Sequence, residues 1–201
     1  TEAANLAEEA FLVLEDTHGR RTLWVSMDMI GMSWQMTARF RHELAAVTGI
    51  PFQAIVINFS HTHSGPDAIR RLIGWGGCDP PYMELLPGRI ARAAIQAIEA
   101  LTDAELRHAE VPCEGIGVNR EYETFSPEIA EALADDWRPA RPELTDTTCH
   151  VLKAVAPDGR LLGFASYFGC HPVVCCAQNH QIHGDYAGVA TNLLERETPG
   201  C

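Results

Sequence analysis

The chain is short of positive charge: 15 Lys and Arg stand against 27 Asp and Glu, for a net charge of -12. With no Lys/Arg-rich patch to neutralise phosphates, a nucleic-acid partner is excluded, and the balance suits a cation better. No segment reaches the ~20 apolar residues needed to span a bilayer, so no transmembrane segment is expected. The N-terminus has no basic region followed by an apolar stretch, although the chain opens on Thr1 rather than Met, which leaves room for a lost leader. The compartment therefore stays open. Internal repeats, low-complexity tracts and an HExxH helix are all missing. The seven cysteines are odd in number, Cys175 and Cys176 are adjacent, and no CxxC pair occurs, so a disulfide framework is not expected. Free thiols, as in a reducing compartment such as the cytoplasm, are the simpler account.

What is present is ordinary globular composition, 46% hydrophobic and 21% charged over 201 residues, enough for one domain with a real core. Residues 10–14 and 21–26 are apolar strand-like runs around a good hairpin connection, Asp16-Thr17-His18-Gly19-Arg20. Met36, Phe40, Leu44 and Val47 recur at helical spacing over residues 34–47, with Gly49 as the stop. A buried, β-branched strand is expected at 54–58 and a helix at 82–101, interrupted near its start by Pro87-Gly88. Residues 67–81 place Ile73 and Trp75 among glycines, which reads either as a mobile wall or as plain packing. Residues 105–111 predict a half-buried strand, and 149–156 with 161–168 a hairpin about Pro157-Asp158-Gly159-Arg160. A last helix covers 187–196, with Asp185 as its N-cap. Strands interleaved with helices predict an α/β protein, mixed β-sheets layered against helices in a single domain.

Three histidines follow strands. His61 and His63 stand in Phe59-Ser60-His61-Thr62-His63-Ser64-Gly65-Pro66-Asp67, directly after the run at 54–58. Strand alternation would put both on one face, roughly 6.5 Å apart along the chain, with Thr62 pointing away. His171 follows the strand at 161–168, and His180, His183 and Asp185 are outer candidates; Asp28 ends the second strand. Imidazole and carboxylate suit zinc, whose catalytic sites use three protein ligands and keep a position open for water. Arg120, after the Gly115-Ile116-Gly117 turn, offers a fixed charge to an oxyanion. The competing readings are histidines that merely hydrogen-bond backbone, or a structural zinc or nucleophile built on Cys170, Cys175 and Cys176; packed, inert cysteines rank ahead of these.

The motifs His61-Thr62-His63-Ser64-Gly65-Pro66, Ser26-Met27-Asp28, Asn119-Arg120, Phe168-Gly169-Cys170-His171-Pro172 and Gly184-Asp185-Tyr186 resemble, in order and spacing, the N-terminal catalytic domain of the neutral/alkaline (non-lysosomal) ceramidases. Those are zinc-dependent amidases that release a fatty acid from sphingosine. The resemblance implies that His61 and His171 are zinc ligands, that His63 stands beside the metal, and that Arg120 contacts the carbonyl side of a small-molecule or lipid amide. It also implies a glutamate and a tyrosine ligand beyond Cys201, hence a domain over residues 1–201 that is incomplete at both ends. Asp67-Ala68-Ile69-Arg70-Arg71, Glu121 and His183 depart from the family pattern, and they bear on substrate rather than on zinc. A ceramidase-like amidase is therefore expected, with a non-sphingolipid amidase or a non-catalytic metal- or ligand-binding relative as the alternatives.

Overall fold

A computed structural model describes residues 9–66, 68, 80–122, 127–174 and 180–199. By its contacts the chain divides into two compact units, one formed by residues 1–102 with 172–197 and the other by 103–171 with 198–201. No helix among the described residues is long and apolar enough to cross a membrane.

The first unit is built on a mixed sheet in the order β1-β2-β3. β1 (Glu9–Glu15) and β2 (Arg21–Met27) form the expected antiparallel hairpin, and Asp16 closes its turn by accepting from the backbone N–H groups of His18 and Arg20. β3 (Ile55–Phe59) then pairs parallel to β2, an arrangement that needs the crossover supplied by α1 (Trp34–Thr48). Ser33 caps α1 through its hydroxyl, and Gly49, with φ at 72°, ends it. Leu23, Val25 and Met27 of β2 pair with Ile55, Ile57 and Phe59 of β3, so one face of the sheet carries apolar side chains throughout. They pack with Phe40 and Leu44 of α1 and with Leu86, Ile90 and Ala94 of α2 (Pro80–Glu99). The opposite face is more open: Trp24 and Val56 are exposed.

α2 corrects one expectation, because the helix runs unbroken through Pro87. Proline inside a helix costs ~3 kcal/mol. Leu86, Ile90 and Ala94, spaced one turn apart, are all buried, and the two large side chains contribute about 1.5–3 kcal/mol each. That stripe outweighs the lost backbone bond. The expected wall at 67–81 lies outside the described residues except for Ala68, which is buried and bridges to Met32, and Pro80 and Pro81, which open α2.

The second unit is an antiparallel meander of β4 (Glu105–Pro112), β5 (Thr148–Val155) and β6 (Leu161–Phe168). The hairpin between β5 and β6 forms as expected. β4 does not match its expected burial: all eight of its residues are exposed. It is an edge strand, and neither face is consistently apolar, since Leu106 shares a face with His108 and Glu110, while Ala109 and Val111 share the other with Glu105 and Arg107. The short α3 (Ile129–Ala132) precedes β5. α4 (Asp185–Glu197) belongs to the first unit.

Candidate metal centre

The histidine segment leaves β3 without leaving the sheet at once. Ser60 N–H donates to the Met27 carbonyl (3.0 Å) and His61 N–H to that of Met29 (3.1 Å), so the chain stays tied to the turn that ends β2. At His61 the backbone enters the left-handed region, with φ at 65°. A non-glycine residue pays for that conformation, and it persists only where its surroundings hold it. Here the ring itself is held: Nδ1 lies 2.6 Å from the Ile30 carbonyl oxygen. A carbonyl can only accept, so Nδ1 carries the proton, and in the neutral ring Nε2 is then the nitrogen with the lone pair.

The left-handed step also changes how the two histidines meet. They do not lie on a strand, as alternation would have it, since β3 ends at Phe59. Their rings nevertheless come together edge to face, with centroids 5.3 Å apart and planes at 82°, and both are exposed. Thr62 points the other way, as expected, and is completely buried. Its hydroxyl donates to the His183 carbonyl (3.2 Å) and accepts from Ser64 N–H (3.2 Å), while His183 N–H donates to the Ser64 carbonyl (3.0 Å). The segment after β3 is thus clamped to the one before α4. Sequence reasoning saw both motifs but not this link, whose two sides lie 121 residues apart.

Two glycines let the backbone close around this clamp. A Cβ on Gly65 would fall on the Asp28 carbonyl oxygen and 3.0 Å from Met29 Cα. One on Gly184 would fall on the Asp28 carboxylate and 2.9 Å from Gly188 Cα, so Asp28 sits at the first turn of α4, where a carboxylate suits the helix dipole. His183 accepts from Asp185 N–H at Nδ1 (2.9 Å). Asp185 is buried, in a left-handed conformation (φ 56°). It is the first residue of α4 rather than the residue before it, and its Oδ1 accepts from the Tyr186 and Val174 N–H groups. His180 is exposed.

The other expected site residues belong to the second unit. Arg120 is exposed in a turn shaped by Asn119, whose side chain donates to the Leu144 carbonyl (3.0 Å) and accepts from Glu121 N–H (3.1 Å). His171, half-buried, follows β6 and Gly169-Cys170. Among the described residues, Cys113 and Cys149 are free thiols. Burial, and then the neighbouring Cys113, push the Cys149 thiol above its ordinary value, which suppresses the nucleophilic thiolate.

The scaffold is a mixed α/β fold that orients the His61 imidazole beyond the carboxyl end of a parallel strand. Comparison with known proteins identifies its family. The chain belongs to the neutral/alkaline non-lysosomal ceramidase family, whose N-terminal model matches residues 4–200. It is 22% identical over 197 residues to neutral ceramidase A of Dictyostelium discoideum, covering 94% of this chain and 27% of that protein. Two solved structures share the fold. A ceramidase complexed with C2 superposes with a TM-score of 0.74 at 23% identity, over 92% of this chain and 29% of that one. The neutral ceramidase from Pseudomonas aeruginosa gives 0.71 at 21% identity, over 92% and 30%. The chain spans under a third of the length of these relatives.

Proposed function

We propose that this chain carries part of the active centre of a zinc-dependent hydrolase that cleaves the carbon-nitrogen amide bond of an N-acylated lipid, as a ceramidase does. One observation carries the reading: the Nδ1 proton of His61 is committed to the Ile30 carbonyl, which leaves Nε2 as the ligand atom. Metal-bound imidazoles characteristically donate their second nitrogen in this way, and the donor chemistry fits zinc. His171 is the second ligand, on the resemblance of its motif to that of the family. Residues 1–201 would then form one portion of the hydrolase domain, with the remaining ligands supplied further along a longer chain.

Zinc, when bound, polarises a carbonyl and lowers the pKa of water, so no strong base is required. The protein's own residues would do the rest. The Ile30 carbonyl and the Thr62 clamp hold His61 in place. His63, beside the metal, would bind the substrate or the negative charge that develops on it as the amide breaks. Arg120 would donate from its guanidinium to the oxygen of the scissile carbonyl as charge develops there. Glu121 places a carboxylate next to Arg120, where the family pattern has serine, and this favours an amide other than ceramide as the second reading.

The test is zinc content and hydrolysis of a short-chain ceramide in the longest natural form of the protein, beside its His61→Ala and His171→Ala variants. Each variant is expected to hold about one zinc per chain fewer than the unmodified protein and to lose activity. A zinc content unchanged by His61→Ala overturns the ligand assignment. Bound zinc with turnover only of other acyl amides selects the second reading, and bound zinc with no turnover of any acyl amide leaves a non-catalytic relative.

A further inference from the structure

A second cluster of ligating side chains lies on the meander of the second unit. The antiparallel register sets Glu110 of β4 directly opposite His150 of β5. His108 is two residues before Glu110 on β4, so all three side chains leave the same face. Nε2 of His108 is 3.3 Å from Nδ1 of His150, and the same Nδ1 is 3.6 Å from Oε1 of Glu110. One ligand atom from each residue lies within 4.8 Å of the others. We propose that His108, Glu110 and His150 bind a divalent transition-metal ion, zinc or nickel, that bridges β4 and β5.

The distances carry the proposal. Two nitrogens held 2.0–2.1 Å from a tetrahedral ion are about 3.3–3.4 Å apart. The imidazole pair is already at that spacing. Its rings are nearly parallel, at 14° with centroids 5.5 Å apart, which is the arrangement of a shared N–H···N proton. An ion replaces that proton after small rotations of the two rings about their Cβ–Cγ bonds. Two nitrogens and one carboxylate oxygen form a borderline donor set, suited to zinc, nickel or copper. Calcium, which takes 6–8 oxygens, and magnesium, which demands an octahedral oxygen shell, are poorly matched. Three protein ligands leave the remaining positions to water, as the exposure of His108 and Glu110 permits.

The position gives the ion a structural consequence. β4 is an edge strand, hydrogen-bonded in the sheet to β5 and exposed along its whole length. Side chains from both strands on one ion would hold β4 against β5 in this register.

Two measurements test this. In a chain carrying His61→Ala, His63→Ala and His171→Ala, calorimetric titration with zinc or nickel should show one saturable site. Adding His108→Ala or His150→Ala should weaken it at least tenfold, and Glu110→Gln should weaken it several-fold. In the unmodified chain, zinc should protect His108 and His150, but not the exposed His18, from acylation by diethyl pyrocarbonate read by mass spectrometry. The second measurement needs no substitution and so does not depend on a variant folding. No saturable binding in the folded background chain, affinity unchanged by both His108→Ala and His150→Ala, or equal acylation of all three histidines with and without zinc would each overturn the site.

Discussion

Replacing Thr62 by valine tests whether the clamp between the two loops holds the histidines in place. The two side chains have nearly the same volume, and Thr62 is fully buried, so packing is conserved while the hydroxyl is lost. Two hydrogen bonds go with it, those to the His183 carbonyl and from Ser64 N–H. A buried group left without a partner costs about 1–3 kcal/mol. His183 and Ser64 are only half-buried, so water can reach them in part, and the lower half of that range applies to each. Thr62→Val should therefore destabilise the chain by about 2–4 kcal/mol in urea unfolding. Thr62→Ser keeps the hydroxyl and removes one methyl, which costs ~1 kcal/mol. The order is the decisive point. Zinc affinity should follow it, because His61 and His63 flank the clamp. If serine proved as damaging as valine, Thr62 would act through its methyl group and the clamp would carry little.

Gly65→Ala should also damage the loop, since its Cβ falls among main-chain atoms of Asp28 and Met29 that cannot swing aside. A loss of about 1–3 kcal/mol with weakened zinc uptake is expected, against no change for Gly163→Ala, where a Cβ meets nothing within 4 Å. Cys149 gives a pH dependence: its folded thiol titrates above the ordinary value because of burial and then of Cys113. Below that ordinary value both states are protonated and Cys149 contributes nothing; as pH rises past it, only the unfolded chain loses the proton, and stability falls until the folded thiol also ionises. Alkylation of Cys149 should accelerate only on the alkaline side of a free thiol, and Cys113→Ala should move that rise to lower pH.

Much of the fold was legible because its signals are local. The 36, 40, 44, 47 spacing and Gly49 marked α1, and the turn residues marked both hairpins. Pro87 misled because the burial of Leu86, Ile90 and Ala94, which outweighs it, depends on partners in β1 and α1 that no window around Pro87 contains. β4 misled for a related reason: Leu106, Ala109 and Val111 suggested a buried side, but they divide between the two faces. At the site, residue types were legible and geometry was not. Nothing in His61 announces a left-handed backbone, and the Ile30 carbonyl that orients its ring is 31 positions away. His108, Glu110 and His150 went unnoticed because their proximity comes from strand register, which brings together residues 42 apart.

The left-handed backbone at His61 follows from the same arrangement that makes the ring a candidate ligand. Such a conformation costs about 1–3 kcal/mol in a residue with a side chain. His61 N–H and Nδ1–H each donate to a carbonyl of the segment after β2, and Thr62 adds its two bonds one residue later. At about 0.5–1.5 kcal/mol apiece, four such bonds are sufficient to offset the strain. The ring is therefore fixed twice, by the backbone that carries it and by the carbonyl that takes its proton. An extended backbone at this residue would aim His61 along the strand and leave the Ile30 carbonyl without its donor. Because the strain and the bonds that offset it are both present in the folded chain, the direction of Nε2 is set before any ligand arrives, and little ordering of this loop remains to oppose binding.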